Sequence, residues 1–216
     1  PIAERLVREF DSAIYDLRAT AEGRSGHVSM AAVPSVATNL LPDIIKTFAT
    51  EFPGIKLHLD DDSSRGVQGR VERNEVDFGI GSLWNANKLL EFTPLFADQL
   101  ELICHRDHPL AQDTGAIGWD QLGKATFLDT GVTKALRARQ DLGESKFDFP
   151  NITTLVAMLR SNLGVSVLPS LAIPKTADDL VSRPLTPTET SEIYLITRKD
   201  WALSPAAEAM IETIIR

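Results

Sequence analysis

A single cysteine, Cys104, stands in the chain of 216 residues, so no internal disulfide can form. It closes the apolar run Leu100-Glu101-Leu102-Ile103-Cys104, the setting of a small core residue. No stretch approaches the ~18 consecutive apolar residues of a membrane span, which excludes a membrane-spanning helix. Basic residues are in the minority: 22 Lys and Arg against 30 Asp and Glu leave a net charge of −8. That balance argues against this segment gripping a phosphate backbone itself. The opening residues, PIAERLVREF, lack the basic start and apolar stretch of an export signal, and a cytoplasmic location is expected. The chain begins at Pro1 and not at Met, as a fragment of a longer protein would.

Catalytic and metal motifs are also wanting. There is no GxSxG elbow, HExxH or GxGxxG. Gly118 to Lys124 fits the first places of a phosphate loop, but Ala125 follows where a Mg²⁺-binding hydroxyl is needed. Asp60, Asp61, Asp62 and Ser64 resemble the start of a calcium loop, yet Arg65 and Val71 stand where Gly and Glu belong. His105 and His108 beside Cys104 are too close along the chain to converge on one tetrahedral ion. No metal, no cofactor and no enzymatic activity are expected. Gly79-Ile80-Gly81 reads as close packing at a strand end.

What is present is periodicity. Apolar residues make up 43% of the chain, enough for a packed core, and the length suits one large or two small domains. Ala3, Leu6, Phe10, Ala13 and Leu17 form a heptad seam, which either lies on its own domain or pairs with a second copy of the chain. Beyond Gly26 the pattern becomes strand (Val28 to Val33), helix (Leu41 to Phe52), strand (Ile55 to Leu59), helix (Ser63 or Ser64 to Arg73) and strand (Val76 to Gly81). That order predicts a parallel sheet covered by helices. Two strand-like runs follow, Leu90 to Phe96 and Leu100 to His105. A second alternation has a short helix at Trp119 to Leu122, strands near 126–128, 147–149 and 165–168, and helices near 134–142 and 153–162. A strand at 193–197 leads to a last helix, 205–215.

In such sheets ligands bind beyond the carboxyl ends of the strands. Those ends are rich in hydroxyls and amides here: Ser35, Val36 and Thr38 after the first strand, Ser82 and Leu83 after the third, Thr130 and Gly131, then Asn151, Thr153 and Thr154. Ser35 or Thr38 could cap the following helix, with Pro42 in its first turn favouring Thr38. Two helix N-termini facing one another across a cleft would hold a small anion without a charged side chain. Lys134 and Arg160 are cations near these segments by position alone, and no cluster of Lys or Arg marks a carboxylate clamp.

Several segments in order resemble the effector-binding domain of LysR-type transcriptional regulators. They are Gly26 to Met30, Leu40-Leu41-Pro42, Phe52-Pro53-Gly54, Glu75 to Ile80, His108-Pro109-Leu110-Ala111 and Asn162 to Pro169. Asn74 and Asn162 stand where the family has glycine, an exchange that left-handed backbone tolerates. The resemblance implies a type 2 periplasmic-binding-protein-like α/β fold, two subdomains joined by two crossover strands and preceded by a linker helix. By this reading residues 1–22 are the linker, 26–97 and 200–216 subdomain I, and 98–199 subdomain II. The N-terminal winged helix-turn-helix lies outside this chain. The resemblance further implies a small-molecule effector in the cleft, contacted by Ser35 and by Thr130 and the 151–154 segment. DNA is reached through the absent domain, and a homodimer or homotetramer is expected. The alternative is an extracytoplasmic solute-binding protein of a transporter, which shares the fold but needs an export signal.

Overall fold

The structure is a computed structural model that describes residues 25–112, 115–140, 142, 145–173 and 177–216. The heptad seam of residues 1–22 lies outside the described residues. The chain divides into two compact units. Of the described residues, 25–33, 40–95 and 194–216 make the first, and 34–39 with 96–193 the second.

In the first unit, strand β1 (Ser25–Ala32) lies between β2 (Gly54–Asp61) and β3 (Phe78–Gly81), parallel to both. Strand β10 (Thr190–Arg198) runs antiparallel to β3. The expected parallel βαβαβ arrangement is therefore present. Helix α2 (Leu41–Glu51) forms because Leu41, Ile44, Ile45 and Phe48 repeat along one face and Pro42 sits in the first turn, where its missing N–H is not needed. Helix α3 (Ser64–Glu72) starts on the Ser63 cap, whose hydroxyl accepts from the Gly66 N–H at 3.2 Å. It buries Val67, Gln68 and Val71. Helix α6 (Pro205–Ile215), capped by Ser204, packs on β1 and α2. A Cβ added at Gly79 would come within 2.7 Å of Val67 Cγ1 and 3.0 Å of Val71 Cγ2, so β3 is glycine-bearing where α3 lies against it.

Strand β4 (Leu90–His105) is one continuous strand of 16 residues where two runs are expected from sequence, and it runs from the first unit into the second, where it is central. Pro94 and the polar pair Asp98-Gln99 interrupt the hydrophobic pattern but not the strand. Pro94 is solvent-exposed, and the buried Asp98 carboxylate has partners of its own. Strands β8 (Ser166–Pro169) and β9 (Leu180–Thr186) pair antiparallel with β4, and β5 (Ile117–Gly118) pairs parallel with β9. A separate parallel pair joins β6 (Phe127–Asp129) to β7 (Ser145–Asp148). The sequence pattern hides β9, because Arg183 and Pro184 break its alternation. Arg183 is nevertheless buried and donates to the carbonyls of Ala111 and Gly115.

Among the described residues, three α-helices belong to this unit: α1 (Pro34–Asn39), α4 (Gly131–Leu136) and α5 (Ile152–Arg160). The helix expected over 134–142 begins three residues earlier and stops at Leu136, because Thr130 supplies a strong start. The core holds Leu102, Cys104, Leu122, Phe127, Val165 and Val167 in one cluster and Ile103, Leu128, Leu155, Leu159 and Leu168 in another. The chain passes between the units inside β4 and β10, near residues 95–96 and 193–194. The described residues contain no helix long and apolar enough to cross a membrane.

Both asparagines in glycine places have positive φ, 60° at Asn74 and 58° at Asn162, just past the ends of α3 and α5. Asn accepts this conformation better than other side chains, which explains the exchange.

Candidate functional site

The polar strand ends divide between the two units. In the second unit Ser35 lies in the first turn of α1, only 6% exposed, and its hydroxyl has no hydrogen-bond partner among the described residues. Val36 is fully buried, so its side chain is core. Thr38 does not cap the following helix. Its hydroxyl donates back to the Pro34 carbonyl at 2.8 Å, and Leu40 takes the cap position of α2 with no side-chain cap bond. The reason is that residues 34–39 already form a helix of their own, which places Thr38 inside a turn where the i−4 carbonyl is within reach.

Thr130 caps α4. Its hydroxyl oxygen accepts from Val132 N–H at 3.1 Å and Thr133 N–H at 3.4 Å, while the Thr130 N–H donates to Thr133 Oγ1 at 2.7 Å. This reciprocal box satisfies orphan amides at both positions. The O–H proton of Thr133 goes to the Thr130 carbonyl at 3.2 Å. A Cβ at Gly131 would meet nothing within 4 Å, so the first turn of α4 is open there. Asn151 caps α5 by accepting from Thr153 N–H at 2.9 Å and Thr154 N–H at 3.2 Å, and the three residues are exposed. The helix ends expected to offer free amides thus spend two each on their own caps.

Charge at these ends is already balanced. Arg137 forks onto Asp129 at the end of β6, with Nη2 2.9 Å and Nε 3.2 Å from Oδ1 and Nε 3.1 Å from Oδ2. The guanidinium carbon also lies 5.7 Å from the Phe127 ring centroid. Lys134 is paired with Asp148, and Arg160 with Asp179 at 2.8 Å. The bond from Arg160, more than any other cause, holds the Asp179 carboxyl below its ordinary range. The two cations singled out by position are therefore engaged.

In the first unit, Ser82, Leu83, Trp84 and Asn85 follow β3, with Leu83 and Trp84 exposed. Gln68, only 5% exposed, holds this loop: its Nε2 donates to the Asn85 carbonyl at 2.7 Å and its Oε1 accepts from Trp84 and Asn85 N–H at 3.3 and 3.2 Å. Sequence reading passed over Gln68. The one signal was a polar residue on the apolar face of α3, beside Val67 and Val71.

The motifs set aside from sequence have structural work. Arg70 binds Asp60 at 3.0 Å and Asp62 at 3.3 Å, neutralising the acidic run at the end of β2. His105 Nδ1 accepts from the Asp107 N–H, and His108 Nδ1 from the Leu110 N–H, both at 3.2 Å. Burial lowers the His108 pKa, which keeps that nitrogen free to accept. Burial raises the Cys104 thiol, an effect that Arg183 partly opposes.

Burial, and then the neighbouring Asp98 carboxylate, raise the Glu101 pKa. A carboxyl raised in the folded state binds more protons there than in the unfolded chain. Stability then falls as pH rises from its ordinary value through the folded value. Glu101→Gln keeps an acceptor for the Ser182 hydroxyl and removes that cost. We expect Tm to rise by about 2 °C at pH 7, under 1 kcal/mol, and to stay unchanged at pH 4. Equal shifts at both pH values would show that burial of the ionised group is not the cause.

A family model described as "LysR substrate binding domain" matches residues 21–216. The chain belongs to the LysR substrate-binding domain family. It is 29% identical over 225 residues to the uncharacterized HTH-type transcriptional regulator YbhD of Escherichia coli (strain K12), covering 100% of this chain and 71% of that protein. The effector binding domain of QuiR in complex with shikimate shares the fold, with a TM-score of 0.78 at 18% identity over 89% of this chain and 96% of that one. The reduced form of OxyR gives 0.75 at 26% identity over 90% and 96%. This LysR-family domain accordingly has the periplasmic-binding-protein-like fold, and it is the small-molecule-binding part of a transcription regulator. The transporter alternative is not favoured, because its relatives are regulators.

Proposed function

We propose that this domain senses a small polar metabolite in the cytoplasm and reports it to a DNA-binding domain elsewhere in the full-length regulator. The observation that carries the reading is Ser35: a residue only 6% exposed, in the first turn of a short helix, whose hydroxyl has no hydrogen-bond partner among the described residues. The Ser35 hydroxyl is not one of the fully buried orphan atoms, so it keeps access to the surface and is available to a ligand. Thr130, Gly131, Asn151, Thr153 and Thr154 are the further candidates for contact within the same unit. Recognition by hydroxyls suits an oxygen-rich effector, and the shikimate bound by QuiR is the first compound to try.

An effector that prefers one arrangement of the chain shifts the population toward it, and ~1 to 3 kcal/mol of coupling changes the DNA complex several-fold. Signalling of this kind needs no catalysis, so the domain acts as a sensor and not as an enzyme. A symmetric dimer or tetramer is the expected assembly. Peroxide sensing, raised by the likeness to OxyR, is disfavoured by position: a reactive thiol needs exposure and a lowered pKa, and the single cysteine is fully buried with its pKa raised.

The test is calorimetry with shikimate and a panel of hydroxy-acids, followed by Ser35→Ala and Gly131→Ala. Removing one buried hydrogen bond should weaken binding about tenfold, or ~1.4 kcal/mol. Gly131→Ala should leave Tm alone and weaken binding as well, since its Cβ enters open space. A compound that binds both variants as it binds the parent would refute the assignment.

A further inference from the structure

Helix α1 has six residues, too few to hold its shape alone. Its neighbours in sequence, β1 and α2, belong to the first unit, yet α1 itself belongs to the second, where it packs on the 3-10 turn Ser170–Ala172. A continuous line of hydrogen bonds accounts for that placement. It begins at Asp98 in β4, a carboxylate only 4% exposed. Asp98 Oδ1 accepts from the Ser170 hydroxyl at 2.6 Å and Oδ2 from the Leu171 N–H at 3.2 Å. The carbonyl of the same Leu171 accepts from the Asn39 side-chain amide at 2.6 Å. Asn39 also donates to Thr38 Oγ1 at 3.0 Å, and the Thr38 hydroxyl donates to the Pro34 carbonyl at the other end of α1.

Each link has a chemical logic. A buried carboxylate is costly unless hydrogen-bonded, and Asp98 meets that need with a hydroxyl and a peptide N–H. Those bonds fix the turn and aim the Leu171 carbonyl. The Asn39 amide can donate two bonds and uses both, one to the turn and one to its own helix. We propose that Asn39 and Asp98 are positioning residues that latch α1 to the Ser170–Ala172 turn and thereby hold Ser35 in its buried, unpartnered state. The role assigned to Ser35 rests on the function proposed above, while the latch itself does not.

The test therefore uses no effector. In the 216-residue chain carrying Ser35→Cys, the rate of modification by the disulfide reagent DTNB reports how well position 35 is held. The buried Cys104 serves as an internal control. Adding Asn39→Ala or Asp98→Asn should speed modification at position 35 about tenfold and leave Cys104 at its slow rate. Combining the two should add little, because both cut the same line. Hydrogen exchange of residues 34–39 in the Ser35 background gives the same answer if the cysteine variant folds poorly. Its α1 amides should exchange about tenfold faster in both variants, with α3 unchanged. Unchanged reactivity and exchange at α1 would overturn the latch, as would equal acceleration at positions 35 and 104, which signals general loosening. A latch that passes while no compound depends on Ser35 leaves the latch standing and rejects the effector site.

Discussion

Replacing Gly164 by Ala should lower the stability of the second unit by about 3 kcal/mol, at the upper end of overpacking costs. A Cβ at that position would stand 2.2 Å from the Thr126 carbonyl oxygen and 3.3 Å from Leu128 Cδ2. The first neighbour is backbone and cannot rotate away. It is also held in place: the Thr126 carbonyl accepts from the Val165 N–H, and the Leu128 N–H donates to the Val165 carbonyl, each at 2.9 Å. Relief of the clash must break this parallel bridge between β6 and residue 165. For a chain of this size the loss is roughly 10 °C in Tm. Thermal unfolding followed by near-ultraviolet dichroism checks it, since Trp119 and Phe127 lie in the adjoining core. A shift under about 3 °C would mean that the strands approach less closely than described.

Asp129→Ala should cost about 2 to 3 kcal/mol, below the ~3 to 5 of a fully buried pair because the Arg137 side chain keeps some exposure. The Asp129 side chain is 11% exposed and accepts from both Nε and Nη2 of the guanidinium, so its loss removes these bonds from a cation that lies beside an aromatic ring. The backbone role of residue 129, accepting from the Phe149 N–H at 2.8 Å, survives the change. Asp129→Ala with Arg137→Met should therefore recover much of the loss. A double variant as unstable as the single one would place the cost elsewhere. Because Thr130 follows directly, the pair also steadies the residue that starts α4.

These two sites show how unevenly sequence reports structure. Gly164 was legible as part of the Asn162 to Pro169 run, and the left-handed turn at Asn162 was expected from the residue type. The approach of the Thr126 carbonyl was not, because it joins residues 38 positions apart. Asp129 was visible as a strand end, whereas its partner Arg137 lay in a segment read only as helix. Gln68 and Arg183 went unnoticed for a common reason. Each is a polar residue in an apolar setting, and the backbone groups that satisfy it come from distant loops.

The candidate site divides the same way. Thr130 and Asn151 were visible in sequence as polar residues at element ends, and the caps they form are local events, decided within three residues. Thr38 was misread as a cap, since residues 34–39 form a helix only where the Ser170–Ala172 turn supports them. β4 was split between Phe96 and Leu100 because hydrophobic alternation cannot register a carboxylate, that of Asp98, which is satisfied from across the unit.

Sequence by itself determined most of the order of strands and helices, β9 and α1 excepted, with the parallel sheet of the first unit, the left-handed asparagines and the family. All of these are set by periodicity, by residue conformational preference or by short motifs. Tertiary structure alone decided which polar groups are satisfied and which are left open. It put Asp98 beneath the turn that carries α1, gave Gln68 its loop and left the Ser35 hydroxyl without a partner among the described residues. Hydrogen-bond satisfaction depends on groups far apart in the chain, and local pattern carries no record of them.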